Sequence, residues 1–237
     1  MVDNFDIIRK HLIFESDFDR YIVHIIKRAK DGCGVEYGSN ETNRLIKTFY
    51  ITSLEYFDKK IPVIKDLCES NVARAYILPQ VRNNEDCLKE LLKIVVDNLS
   101  NPTIKPDHLI RSAYCGYHGS RDKKWILDLD SDNMVEYISK DDKKIWEAND
   151  VLTFVQKQLD SIGKSRDDAW MIQTKNGHCI VTSPFDLQKA YKKCNMMFQG
   201  QQRKEVGIEY FGIEEHPKFG NVNGWLIKDG MALLFCN

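Results

Sequence analysis

The chain lacks several features that would announce a function. It carries 34 basic and 35 acidic residues, so its net charge of −1 does not indicate a nucleic-acid binder. It contains no run of about 18 apolar residues that would span a bilayer. Residues Met1–Asn4 do not begin a leader with a charged and then an apolar region. We therefore expect a protein with no membrane segment.

Paired cysteines are also missing. The seven cysteines are scattered, their number is odd and none of them forms a Cys-x-x-Cys motif. Reduced thiols in a cytoplasmic compartment are favoured over a disulfide framework. Cys115 and His118 have a spacing found in zinc sites, but no second pair of ligands accompanies them, which argues against structural zinc.

The patterns that are present predict a mixed α/β (α+β) domain with a central sheet. Strands are expected where apolar, β-branched runs lie between turn residues, at 21–26, 46–51, 73–78, 125–130, 170–173, 179–182, 225–227 and 231–235. Helices are expected after the caps Ser53 and Asn84, and at 151–162 and 186–194. We treat 1–237 as a single domain, with a possible N-terminal subdomain, 1–104, packed on 105–237.

Three details of this assignment are specific. Pro79 should end the third strand, and the last two strands should pair as a hairpin around Asp229-Gly230. In the helix after Asn84, an apolar stripe at helical spacing is typical of a core-facing surface; its members are Leu88, Leu91, Leu92, Val95, Val96 and Leu99.

The strongest chemical signal is the apolar strand Trp125–Asp130, which ends in Asp-x-Asp. Strand side chains alternate, so Asp128 and Asp130 should lie on one face. Two close carboxylates repel each other, and a hard cation such as Mg²⁺ or Mn²⁺ relieves that repulsion. A strand that simply runs into a polar loop would give the same sequence.

A second signal is the turn Lys175-Asn176-Gly177 with His178 after it. Successive backbone N–H groups in such a turn can bind an anion, and Lys175 adds positive charge. His178 would then donate to a phosphate group. A type I′ hairpin turn with a half-buried histidine is the structural alternative.

Weaker candidates lie elsewhere. Asp229 is an acid near the C-terminus, although aspartate before glycine is common in turns. Arg28 ends a buried strand and Arg74 lies inside one. Each is either a phosphate ligand or a structural cation, because a buried guanidinium needs a partner.

The stretch before the acidic strand mixes basic and aromatic residues. This composition is compatible with binding to single-stranded nucleic acid, in which bases stack on aromatic rings and cations follow the phosphates. The residues concerned are Arg111, Tyr114, Tyr117, His118 and Arg121.

Taken in order, these motifs resemble those of the archaeo-eukaryotic primase superfamily, including viral and plasmid primase-polymerases. Trp125–Asp130 resembles the first motif, Asn176-Gly177-His178 the second and Ile227-Lys228-Asp229 the third. The resemblance extends from Arg20 to the C-terminus, although few residues in it are specific. It departs from many members in having no zinc knuckle between the first two motifs.

The resemblance implies a primase-polymerase-like catalytic domain with an RRM-like central sheet flanked by helices. It also implies nucleotidyl transfer with Mg²⁺ or Mn²⁺, using nucleoside triphosphates and a single-stranded DNA or RNA template. Replication proteins would be further partners. The implied metal ligands are Asp128, Asp130 and Asp229. The implied nucleotide contacts are His178, Lys175, Asn176, Gly177, Arg28 and Arg74.

Two other functions remain open at this point. Asp128 or Asp130 together with Gln173-Thr174-Lys175 resembles the acid and (Glu/Gln)-x-Lys pattern of restriction-like, metal-dependent nucleases. Lys175 would then position the attacking water. Alternatively, the chain is a non-catalytic viral accessory protein with a primase-like fold, in keeping with its near-neutral charge.

Overall fold

The computed structural model describes most of the chain. The described residues are 1–28, 43–101, 103, 105–116, 120–130, 148–186, 190, 196–198, 225–228 and 230–237. For residues 130, 196–198 and 225–228 the description is limited to the backbone.

The structure is a mixed α+β protein, as the sequence predicted, and it divides into two compact units. The first unit contains Met1–Lys123 together with Met231–Asn237, and the second contains Lys124–Gly230. This division does not coincide with the subdomain boundary considered at residue 104. The reason is that Ala113 and Tyr114, from a helix beyond that boundary, are buried in a core cluster of the first unit. That the chain works as one catalytic domain stays a prediction.

The first unit is built on a five-stranded antiparallel sheet. Its strands follow the order β1-β10-β4-β2-β3. They are β1 (Val2–Asp3), β2 (Asp19–Lys27), β3 (Arg44–Ile51), β4 (Arg74–Asn83) and β10 (Ala232–Cys236).

Helices cover both faces of this sheet. On one face lie α1 (Phe5–Arg9) and α2 (Leu54–Asn71), where the Phe5 ring packs against Phe57 at 5.7 Å and Phe235 at 6.2 Å between centroids. On the other face, α3 (Asn84–Asp97) and α4 (Pro106–Cys115) pack against Ile22 and Leu78. The result is a three-layer unit with a core on each side of the sheet.

Local signals place the start of one helix correctly and that of another one residue too late. Ser53 caps α2, since its side chain accepts a hydrogen bond of 3.1 Å from the backbone N–H of Tyr56. In α3 the cap is Asn83 rather than Asn84, because the side chain of Asn83 accepts from Asp86 N at 3.1 Å.

The prediction that Pro79 ends a strand is wrong, because β4 continues through it to Asn83. The pairing of β4 with β2 shifts register here: Leu78 lies opposite Ile22, and Arg82 lies opposite Arg20. Such a bulge accommodates a proline, since it interrupts the ladder at the point where the N–H is missing.

The prediction of a final hairpin is also wrong. Both strands exist, as β9 (Trp225–Lys228) and β10, but they belong to different sheets. Strand β9 pairs with strands of the second unit, whereas β10 is inserted between β1 and β4 of the first.

The second unit contains the other five-stranded sheet, with the order β6-β7-β5-β9-β8. The strands are β5 (Trp125–Asp130), β6 (Ala169–Gln173), β7 (Gly177–Thr182), β8 (Met196–Phe198) and β9. Strand β5 is central and runs antiparallel to both β7 and β9. The predicted hairpin of β6 and β7 is confirmed. The helix predicted at 186–194 lies almost entirely outside the described residues.

Helix α5 (Ala148–Asp160) connects β5 to β6 and packs on one face of this sheet. Leu127 and Leu129 from β5 and Ile180 from β7 are buried in the same cluster as Val151 and Val155 of the helix. Because β7 lies between β5 and β6 and is antiparallel to each, β5 and β6 run parallel. The β5-α5-β6 connection is therefore a split β-α-β unit.

In the described part of the chain, no helix has both the length and the apolar character needed to cross a bilayer.

Candidate metal and nucleotide site

The two acids of the Asp-x-Asp motif occupy the last positions of the central strand β5, on the face opposite α5. Leu127 and Leu129 point into the α5 core, so the alternating residues Asp128 and Asp130 lie on the other face. Asp128 is half-buried, with Cys179 of β7 and Leu226 of β9 as its register partners. The backbone of β5 thus has Asp128 and Asp130 at alternating positions of one strand, and the predicted pairing of their carboxylates stays a prediction.

Gly177 and Thr174 extend this face beside Asp130. Asp130 lies directly opposite Gly177, and the backbone N–H of Thr174 donates to Gly177 O at 2.9 Å. Thr174 follows Ile172 at a two-residue interval, so both belong to the face of Asp128. Glycine carries no side chain, so none projects from Gly177 between the positions of Asp130 and Thr174.

Thr174 also has a buried hydroxyl that nothing nearby satisfies. Its Oγ1 atom has no hydrogen-bond partner among the described residues. A buried hydroxyl without a partner costs about 1–3 kcal/mol, so such a group calls for an explanation. Sequence reasoning included Thr174 only as the middle residue of a nuclease-like pattern and missed it as a potential ligand.

His178 does not join the two acids. It lies directly opposite Leu129 on β5 and Gln173 on β6, and directly opposed residues project from the same face of a sheet. Its side chain therefore projects toward the α5 face, away from Asp128. Its Nδ1 atom is buried and has no hydrogen-bond partner within the described structure.

The turn before His178 does not have the backbone of an anion-binding nest. A nest requires a residue of left-handed φ, as does a type I′ turn. Among the described residues, positive φ occurs only at Val72 and Gly163. The exposed Lys175 and Asn176 therefore form a two-residue turn that presents side chains rather than a ring of N–H groups.

The third acid, Asp229, lies outside the described residues. The preceding strand β9 runs from Leu226, opposite Asp128, to Lys228, opposite Ile126. Along its described length it thus proceeds away from Asp130.

The two arginines implied as nucleotide contacts belong to the first unit, whereas the motif residues belong to the second. Arg28 Nη1 donates to the hydroxyl of Tyr76 at 3.3 Å. Arg74 is buried in β4, with Ile26 and Cys236 as its register partners.

The nuclease-like pattern is not assembled on one face. Gln173 projects to the α5 face with His178, opposite to Asp128. Restriction-like chemistry needs the acid and the (Glu/Gln)-x-Lys side chains around a single metal. The register of β6 and β7 against β5 places Gln173 and Asp128 on opposite faces of the sheet.

The described members of the mixed basic and aromatic stretch do not form one binding strip. Tyr114 is buried and its hydroxyl donates to Asn84 Oδ1 at 2.6 Å. Arg121 is paired with Asp19 and Glu15 at 3.2 Å each. Tyr117 and His118 lie outside the described residues.

Within the described part of the chain, no group of three or more His, Cys, Asp or Glu side chains could hold a metal ion. The side chains of Asp130 and Asp229 are not in that part, so the predicted ligand set is represented there by Asp128.

Comparisons of the chain with protein-family models, with curated proteins and with solved structures found no match. The interpretation of this site therefore depends on the positions of its residues.

Proposed function

We propose that the protein is a metal-dependent nucleotidyltransferase of the primase-polymerase kind. The observation that carries the proposal is the placement of Asp128 and Asp130 at the end of the central strand β5, on the face of the sheet opposite α5. Paired carboxylates at the end of a rigid central strand are held in fixed positions, as a cation site requires.

The strand order supports the same class. The split β-α-β unit, with β7 between β5 and β6 and with β9 on the other side of β5, is the order of strands expected of an RRM-like sheet. The resemblance in the sequence implied such a sheet.

The residues on this face suit Mg²⁺ or Mn²⁺. Both cations prefer oxygen ligands, which Asp128, Asp130 and the Thr174 hydroxyl supply. A bound ligand or its water would also satisfy the buried Thr174 Oγ1. The bound cations would activate a primer 3′-hydroxyl and stabilise charge on the α-phosphate and the departing pyrophosphate.

The chain's own residues hold the substrates in this proposal. Asp128 and Asp130 fix the position of the reaction on the sheet, and Gly177 admits a phosphate close to the backbone. Lys175, exposed at the turn, contributes positive charge toward a triphosphate. The proposed substrates are nucleoside triphosphates with a single-stranded template. His178 is not among the residues that hold them, because it projects from the α5 face of the sheet.

Replacing Asp128 by Asn tests the proposal. Asn keeps the shape of the side chain and removes the charge, so the fold should be retained while divalent-cation affinity is lost. We expect labelled nucleotide incorporation with Mn²⁺ and a single-stranded template to fall by a factor of about 100 or more, comparable to the loss of one strong electrostatic contact in a transition state. The measurement is product formation on a denaturing gel.

Asp167→Asn is the matched control, since it removes one acid from an exposed position in the same unit. It should leave incorporation unchanged. Equal activity of the Asp128→Asn variant and the parent chain would refute the proposal. Metal-dependent degradation of the template without new product would assign a nuclease, and no nucleotide- or Mn²⁺-dependent change would assign a non-catalytic binding protein.

A further inference from the structure

A cavity of about 610 Å³ lies in the first unit, between the sheet and α4, and the proposed nucleotidyl transfer makes no use of it. Its apolar lining comes from Ile26, Leu45, Leu78 and Met231. Its polar lining comes from Asn43, His24 and one face of α4, on which His108, Arg111, Ser112 and Cys115 follow one another at helical spacing.

Within this cavity a histidine contacts a cysteine and a threonine. His24 Nε2 lies 3.3 Å from Cys115 Sγ, and His24 Nδ1 lies 2.9 Å from Thr48 Oγ1. His24 and Thr48 are register partners on β2 and β3, so the sheet itself fixes this contact. A nucleophile within reach of a base, with the base oriented by a third group, is the arrangement that activates thiols in enzymes.

The surroundings keep the imidazole neutral. Burial, together with the positive charge of Arg111, lowers the pKa of His24 to about 4. Burial raises the pKa of Cys115, although Arg82 and Arg111 act against that rise. The resting pair is therefore a neutral thiol and a neutral imidazole. In this state the Nδ1–H group of His24 donates to Thr48 Oγ1, and the S–H group of Cys115 donates to His24 Nε2.

One arginine lines the cavity. Arg111 is partly exposed, and its Nη2 atom reaches the exposed carboxylate of Asp107 only at 3.5 Å. A loose, solvent-exposed pair of this kind is weak, so a ligand anion can replace Asp107 as the partner of Arg111. His108, one turn before Arg111, lines the same cavity.

We propose that this cavity binds a small organic anion, and that Cys115 is a nucleophile toward an electrophilic carbon of that ligand, with His24 as its base. The carboxylate or phosphate of the ligand lies at Arg111, and its apolar body lies against Ile26, Leu45 and Met231. The proposal is independent of the nucleotidyl-transfer site.

The covalent step is a nucleophilic substitution at the ligand carbon. Cys115 Sγ forms a bond to the ligand carbon, and the bond from that carbon to the leaving group breaks, with its electron pair departing on the leaving group. The thiol proton passes to His24 Nε2 and from there to the leaving group or to water.

Two alkylating reagents of similar size test the proposal, because iodoacetate carries a carboxylate and iodoacetamide is neutral. In each case the S–C bond forms as iodide leaves. For each state of the chain, the quantity compared is the rate of Cys115 alkylation by iodoacetate divided by the rate with iodoacetamide. We expect this ratio to be about tenfold higher in the native full chain than in the urea-unfolded chain, because one charge-assisted hydrogen bond has an effect of that size. Mass spectrometry of peptides containing Cys115 measures both rates.

Variants distinguish the role of Arg111 in binding the anion from the role of His24 as the base. Arg111→Gln should return the ratio to that of the unfolded chain, whereas Lys93→Gln, which removes an exposed charge from α3, should leave it high. His24→Gln should lower both rates and leave the ratio unchanged. The buried Cys68, whose pKa burial raises to about 12, should stay unreacted in the native chain and so report that the fold is intact.

Absence of labelling at Cys115, a ratio equal to that of the unfolded chain, or a ratio that Arg111→Gln does not change would each overturn the anion site. Unchanged rates in the His24→Gln variant would overturn the role of His24 as a base.

Discussion

Buried polar residues of the first unit are held by specific partners. The carboxylate of Asp19 accepts hydrogen bonds from the backbone N–H groups of Glu15 at 2.7 Å and Ser16 at 3.1 Å, and from Arg121. Burial alone would raise the pKa of Asp19, but these hydrogen bonds lower it overall. Arg121, which composition associated with nucleic acid, thus serves to stabilise a buried carboxylate.

His24 makes the stability of the first unit dependent on pH. Its pKa falls from 6.5 to about 4 on folding, so between these values the unfolded chain binds the proton and the folded chain does not. Folding stability is therefore complete above pH 6.5 and is lost as the pH falls toward 4. We expect this residue alone to account for a loss of about 2–3 kcal/mol between pH 7 and pH 4.5.

Urea unfolding of the parent chain and of His24→Gln at both pH values measures this contribution. The difference in unfolding free energy between the two proteins should shrink as the pH falls, because the variant has no imidazole to protonate. Carboxylates titrate equally in both and cancel. A difference that stays constant across this range would mean that His24 is not buried as a neutral ring.

At the scale of the element, helix α3 buries less of its surface than its apolar pattern suggested. Leu88 and Leu92 are 45% and 67% exposed, and Val96 and Leu99 are 65% and 75% exposed. The face that packs in the core contains Cys87, Leu91 and Ile94. The apolar stripe is broader than the contact with the sheet and α4, so helical spacing alone did not select the buried residues.

Leu91→Ala and Leu92→Ala form a matched pair for this element. Leu91 packs against the core cluster, and its truncation should reduce the free energy of unfolding by about 2 kcal/mol. Leu92 is exposed, and its truncation should change stability by less than about 0.5 kcal/mol. Thermal or urea unfolding of both variants gives the values, and equal losses would contradict the observed orientation of α3.

At the scale of the whole molecule, the last strand closes the first sheet. Strand β10 lies between β1 and β4, and its central residues Leu234 and Phe235 are buried. Along the chain, the second unit is therefore inserted between Lys123 and Met231 of the first unit. Strand β10 is separated along the chain from the sheet it completes, which gives the first unit a high contact order.

A fragment containing only residues 1–123 should therefore fail to fold. It lacks β10, so β1 has no partner and the edge of β4 is left open. Joining 1–123 to 231–237 through a flexible Gly/Ser linker should restore folding, since β10 is then available to pair with β1 and β4. Circular dichroism with urea titration distinguishes a cooperative transition from none.

Phe235→Asp in the linked fragment is the control, because it places a charge in the apolar position that β10 must fill. It should abolish the transition. A cooperative transition of the same midpoint in the unlinked 1–123 fragment would show that β10 is dispensable.

Local patterns predicted the mixed α+β class and the positions of most strands, and the structure confirms both. They also predicted that Asp128 and Asp130 occupy alternating positions of one strand, which is β5. These follow from local rules, because alternation in a strand and capping at a helix end act over a few residues. The same rules predicted the hairpin of β6 and β7, whose strands are joined by three residues.

Local patterns did not predict which strands share a sheet or which faces meet. The register of β7 against β5 placed His178 opposite Leu129, and a one-residue difference in register would have placed it beside Asp128. The same long-range pairing separated β9 from β10 and brought His24 to Cys115, 91 residues further along the chain. Periodicity carries no information about such pairings, because they depend on which buried surfaces fit together across distant segments.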